Sequence, residues 1–240
     1  MITAQKSPIP AHPLDNVIWE ALSSRQAGFA QGSGGALRFV PEVGPLAGFA
    51  TPGTADFEGL AALAGREPIA VFVDTPLEPR PGWKIVDGGP LVQMVWHEDK
   101  APPITSAPGT ESSGIEVLSA ADSPAMIELT QLTKPGPFGA RTHELGSFFG
   151  IRCEGGLVAM AGERMKVPGY TEVSAVCTHP DHTGKGYAAL LTTRVVRGVL
   201  DRGETPFLHS RADNTRAIKL YERLGFRHRL DGLFVVLAHT

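Results

Sequence analysis

The stretch from Val173 to Phe226 constrains this chain most. It places a short glycine loop between an apolar strand and an amphipathic helix, and follows them with a second, capped helix. Residues 173–188 read Val-Ser-Ala-Val-Cys-Thr-His-Pro-Asp-His-Thr-Gly-Lys-Gly-Tyr-Ala. In such a strand–loop–helix, successive backbone N–H groups and the positive end of the helix converge on an anion, for which a pyrophosphate is a natural occupant. Two commoner phosphate loops are excluded by spacing. His179 stands where a P-loop needs its first glycine and Gly186 where it needs Ser or Thr, while Ala189 breaks the spacing of a dinucleotide fingerprint.

Beyond the loop, Ala188, Leu191, Val195 and Val199 recur at helical spacing, and Gly203 marks the helix end. Pro206–Ser210 reads as a strand. Asn214 caps a helix that buries Ala217, Ile218, Tyr221 and Leu224 and stops at Gly225, and two short strands, Phe226–Leu230 and Leu233–Leu237, follow. Upstream, Ile115–Leu118 is a strand and Ser123–Thr133 a helix with proline in its first turn. Phe148–Cys153 and Leu157–Lys166 pair across Glu154-Gly155-Gly156, and Glu172–Thr178 leads into the loop. The fold class is α/β, with α and β mixed: a mostly antiparallel mixed sheet with helices on both faces.

The first part of the chain carries no motif with legible chemistry. Asn16–Ala27 and Thr54–Ala64 read as helices, Ala36–Val40 and Ile69–Asp74 as strands, and Trp83–Val86 with Leu91–Trp96 as a hairpin turning at Asp87-Gly88-Gly89-Pro90. Glu98–Gly114 is rich in Pro, Ser, Thr and Gly and reads as a linker, dividing the chain into 1–97, 98–114 and 115–240.

With 42% hydrophobic and 20% charged residues the chain can bury a substantial core. No apolar run approaches a membrane span and the N-terminus resembles no leader, so a cytoplasmic protein that does not engage membrane is expected. A net charge of −3 argues against a nucleic-acid partner held by a basic field. Cys153 and Cys177 have no metal-type spacing, and Cys177-x-His179-x-x-His182 lacks a fourth ligand, so no metal is expected.

These motifs resemble the GNAT superfamily, the general N-acetyltransferases. Their pyrophosphate loop, Gln/Arg-x-x-Gly-x-Gly/Ala, is matched by Gly186 and Ala188 and departed from at Thr183, and Asn214, Ala217, Tyr221, Gly225 and Phe226 meet a later signature. The phrase from Glu204 to Phe226 looks most like glycine N-acyltransferase-like proteins. Two-lobed relatives carry a degenerate half-domain where residues 1–97 lie. The resemblance implies an acyl-CoA-dependent N-acyltransferase moving acetyl from acetyl-CoA to a primary amine by direct attack.

By the same resemblance Val176, Cys177 and Thr178 meet the pantetheine arm through backbone groups. Thr183, Gly184, Lys185, Gly186, Tyr187 and Ala188 hold the pyrophosphate, and Asn214 and Tyr221 contact the cofactor. Glu172 is the expected base, with Glu163 as runner-up, and Tyr221 the expected acid for the leaving thiolate. The acceptor is a small-molecule amine or amino-acid-like compound, met by Thr133–Gly146 and Val167–Tyr170; a protein amine and a homodimer stay open. The rival reading is a CoA-binding sensor or assembly protein that keeps the fold without turnover.

Overall fold

The computed structural model describes residues 12–51, 56–63, 67–78, 80–98 and 114–240. Most of the expected linker, residues 99–113, lies outside the described residues, as do 1–11. The first half contributes α1 (Val17–Ser23), β1 (Ala30–Ser33), β2 (Ala36–Phe39), β3 (Leu46–Phe49), α2 (Phe57–Leu63), β4 (Ile69–Val73) and β5 (Trp83–Trp96). The second contributes β6 (Glu116–Leu118), α3 (Ser123–Thr133), β7 (Phe148–Cys153), β8 (Gly156–Val167) and β9 (Tyr170–Thr178), then α4 (Tyr187–Asp201), β10 (Thr205–Arg211), α5 (Thr215–Leu224) and β11 (Phe226–His239).

The strands form one mixed sheet in the order β1-β2-β3-β4-β11-β5-β10-β9-β8-β7-β6. Only β3/β4 and β9/β10 pair in parallel among the described strands. Strand β5, from ahead of residues 99–113, is hydrogen bonded between β10 and β11, so the sheet runs through both halves of the chain.

Alternation along the strands sorts the two faces. Leu208 joins Val173 under α4, where Leu191, Val195, Val196 and Val199 are buried. Its neighbour Phe207 points the other way, with Met165 and Val167, onto α1 through Val17, Ile18, Ala21 and Leu22. Each of the buried Val, Leu and Ile side chains contributes roughly 1.5–3 kcal/mol by leaving water.

The expected hairpin around Asp87–Pro90 does not form: β5 runs through it as one strand, paired with β11 from Trp83 to Trp96. Pro90 is tolerated because its carbonyl accepts from Ala212 N–H at 3.0 Å, so its missing N–H faces the side on which β10 has just ended. Strand β11 is likewise continuous through Asp231-Gly232, with an irregularity between His228 and Leu230 absorbed as a bulge.

Candidate active site

Strands β9 and β10 run in parallel only as far as Phe207 opposite Glu172. Beyond that point β9 stays with β8 while β10 stays with β5, and the sheet splits open. A β-bulge in β9 widens the split. Between the pairs Met160↔Cys177 and Gly162↔Ser174 the strand carries an extra residue, and Ala175 takes φ +52°, a costly conformation for a residue with a Cβ. Ala175 and Val176 are thereby freed from regular pairing with β8, leaving the mouth of the split lined by irregular backbone.

The split is the floor of a cleft of about 1000 Å³. Its walls include Val173–Thr178, Thr183, Gly184, Gly186, Tyr187 and Ala188, Asn214, Ala217 and Tyr221 of the second capped helix, and Thr133–Pro137 after α3. Most of the residues expected to hold a cofactor are therefore brought together. Lys185 is not itself in the lining, though its ammonium lies 3.3 Å from Nδ1 of His182, which is. Gly184 and Gly186 have φ +80° and +81°, a left-handed conformation that glycine adopts without steric cost and that shapes the loop ahead of α4. Tyr187 contributes mainly as core, buried in the cluster beneath α4. Asn214 accepts from Ala217 N–H at 3.2 Å, capping α5, so its free amide NH₂ is what remains for a ligand.

These features suit a CoA molecule. An amide cradle at a helix N-terminus fits the pyrophosphate, irregular strand backbone fits the pantetheine amides, and the Thr178 hydroxyl is buried in the wall without a hydrogen-bond partner among the described residues. Among the described residues no group of three or more His, Cys, Asp or Glu gathers as metal ligands.

Tyr221 reaches the same cleft from α5 with its ring edge-on to Phe226, and its hydroxyl makes no hydrogen bond to the described protein groups. Burial pushes its phenol up to about 12, with the nearby Cys177 adding to the rise. Burial likewise pushes the Cys177 thiol up to about 11.

Glu172, the expected base, is fully buried and spoken for. Arg164 Nε and Nη2 each donate to its carboxylate at 2.8 Å, His209 Nδ1 lies 2.8 Å away, and Met165 N–H donates at 3.3 Å. Burial alone would raise its pKa, but the charge of Arg164, that residue's hydrogen bonds and the His209 contact outweigh it and hold the carboxyl at about 2. Glu163, the runner-up, lies in register with Val173, away from the cleft lining, between Arg202 at 2.8 Å and Lys166 at 3.0 Å. Of the two segments expected to meet an acceptor, Thr133–Pro137 line the cleft; Val167–Tyr170 do not, and Tyr170 OH instead pairs with His12 Nε2 at 3.2 Å.

Arg164 and Gln93 escaped the sequence reading. Arg164 lines the cleft, and so does His209 of β10, on a stretch, His209-Ser210-Arg211, that the sequence leaves open between facing the acceptor and ordinary packing. Gln93 of β5 donates through Nε2 to Leu14 O at 3.0 Å and to His209 Nε2 at 3.1 Å, while its Oε1 accepts from Arg229 at 2.7 Å. That pattern fixes the amide orientation and leaves His209 with its proton on Nδ1, donating to Glu172.

Comparison with known proteins decides the family. A GNAT-family protein of known structure from Novosphingobium aromaticivorans shares 40% identity with the chain, over 96% of this chain and 100% of the other, with a TM-score of 0.85. The chain belongs to the GNAT family. The model of FR47-like proteins matches residues 148–235, which hold the bulged strand, the glycine loop and α5. The same fold recurs in a GCN5-related N-acetyltransferase from Kribbella flavida, at 20% identity over 93% of this chain and 96% of that one, TM-score 0.56. It recurs again in a GCN5-related N-acetyltransferase-like protein from Streptococcus suis, at 14% identity over 93% and 92%, TM-score 0.55. No curated protein matches the chain. Among its described helices none is long and apolar enough to cross a membrane.

Proposed function

We propose that this GNAT protein transfers an acetyl group from acetyl-CoA to a primary amine by direct attack of the amine on the thioester. The observation that carries the reading is the bulged, splayed end of β9 opening beneath the Gly184–Ala188 loop, with the Tyr221 hydroxyl in the same cleft.

The acid role falls to Tyr221. A phenol at about 12 keeps its proton across the working pH range. Burial disfavours a thiolate here, as the raised Cys177 shows, so a leaving thiol is best released protonated. Tyr221 therefore donates as the carbon–sulfur bond breaks.

The direct base role proposed for Glu172 has weaker support. Moving a proton from an ammonium of pKa about 10 to a carboxylate at about 2 is uphill by about 11 kcal/mol. The acceptor accordingly enters as the free amine, and Glu172 serves by fixing Arg164 and His209. The test is transfer from acetyl-CoA to a panel of amines between pH 6 and 10, read by thiol release. kcat/KM should rise with unit slope until the pKa of each amine, and move with that pKa from amine to amine. Acetyl-CoA binding with no transfer to any amine would favour the CoA-binding sensor instead.

A further inference from the structure

Arginine carries two hydrogen-bonding forks: a side-on pair at Nε and Nη2, and an end-on pair at Nη1 and Nη2. In Arg164 the side-on fork is filled by both oxygens of Glu172. Nη1 makes no hydrogen bond to any described group, and the residue lines the cleft while its side chain is only 12% exposed. The guanidinium plane is thus locked by a buried carboxylate, with a second fork left over. The free nitrogen lies toward the segment after α3, 4.0 Å from where a Cβ on Gly136 would stand. A fork of N–H donors with no protein acceptor is left to solvent or to a ligand that enters the cleft.

The wall on this side of the cleft is largely apolar, with Asp87 and Arg211 also in its lining. Leu46, Ala70 and Phe72 come from the first half of the chain, and Phe234 and Val236 from β11. Phe72 packs on the His209 ring with centroids 4.9 Å apart, so this wall and the Arg164–Glu172–His209 cluster are neighbours. The glycine loop and the bulged strand, which suit the donor, lie elsewhere in the same cleft.

We propose that Arg164 is a specificity-determining residue that receives the carboxylate of the acceptor, so that the preferred substrate is an amine bearing a carboxylate and an apolar side chain. This deepens the acetyl-transfer reading and rests on it. Glu172 is then a positioning residue: it orients the guanidinium and keeps the Arg164 pair neutral until the substrate arrives.

The test compares leucine with isoamylamine, and phenylalanine with phenethylamine, as acceptors of acetyl-CoA, with rates expressed per free amine. Each pair differs by one carboxylate. kcat/KM should favour the amino acid by roughly 10- to 100-fold, the effect of a charge-assisted, two-pronged contact. In Arg164→Lys, which keeps a charge beside Glu172 but has no second fork, that ratio should fall toward one, mainly through KM, while acetyl-CoA still raises the melting temperature. Equal or better use of the decarboxylated amines by the wild type would overturn the inference and leave acetyl transfer intact. An Arg164-dependent preference for succinyl-CoA over acetyl-CoA, without a preference for leucine, would also overturn it by assigning the arginine to the donor. If no amine is acetylated, the transfer reading has failed. Titration of 4-methylpentanoate into the CoA-loaded protein then decides: binding lost in Arg164→Lys upholds the carboxylate site, and no binding overturns it.

Discussion

Glu172→Gln removes the charge from the most buried carboxylate of the site while keeping its shape, and its effect on stability should depend on pH in a defined way. The folded carboxyl sits at about 2 against an ordinary 4.5. A depressed carboxyl pKa contributes stability that is complete above the unfolded value and is lost as pH falls toward the folded one. The 2.5-unit difference between those values corresponds to about 3 kcal/mol at pH 7. That figure agrees in scale with the roughly 3–5 kcal/mol expected when a buried ion pair loses one partner, here leaving Arg164 facing a neutral amide. Urea denaturation of wild type and variant at pH 7, 5, 4 and 3 measures the gap. It should be constant from pH 7 to about 5 and shrink to roughly half by pH 3, as the wild type protonates the same group. A variant as stable as the wild type at pH 7, or a gap that does not change with pH, would refute the reasoning. A variant of unchanged stability whose activity is lost at neutral pH and returns at high pH would restore Glu172 as the direct proton acceptor.

Tyr221→Phe should lower kcat by roughly 10²-fold or more at every pH while leaving CoA affinity unchanged, in keeping with loss of a general acid; wild-type turnover would make it a core residue. Gly186→Asp puts a Cβ and a negative charge where the backbone has φ +81° and the anion cradle opens. It should abolish the stabilisation by acetyl-CoA, which for the wild type at about 100 times Kd amounts to about 2.7 kcal/mol in thermal or denaturant unfolding. Removing residues 1–97 deprives both β10 and β11 of β5, so the remaining fragment should lack a cooperative unfolding transition until the first segment is supplied in trans; a sharp unaided transition would contradict this.

Local signals carried the second half of the chain well. The helix Ser123–Thr133 has the expected bounds, and the helix after Asn214 begins at its cap and ends at Gly225 with φ +120°, because capping and left-handed termination are decided within a few residues. The glycine loop was legible for the same reason. Strand continuity was not. Asp87-Gly88-Gly89-Pro90 has the composition of a turn, and it stays extended because β11 lies alongside it, a partner some 140 residues away in sequence. The bulge at Ala175 has no glycine to announce it, since pairing with β8 on either side holds an alanine at positive φ. Arg164 was invisible because its meaning depends on a second bulge: register is lost between Glu163 and Lys166, and this lets a side chain eight residues before Glu172 reach its carboxylate.

The shared sheet explains why the parts of the site come from different halves of the chain. On the proposed reading the donor side rests mainly on backbone geometry, which β9, the glycine loop and α5 provide within some fifty consecutive residues. The acceptor side needs shape and a fixed charge, and no consecutive segment provides both. By entering between β10 and β11, β5 brings Gln93 directly opposite His209 in the register, where it orients the ring that contacts Glu172. The pairing of β4 with β11 sets Ala70 and Phe72 against the same cleft. Substitutions in β4 should therefore alter which amine is used and leave CoA affinity alone, whereas substitutions in the Gly184–Ala188 loop should do the reverse. On the proposed reading the first half of the chain, though it bears no catalytic motif, acts with Arg164 in acceptor choice.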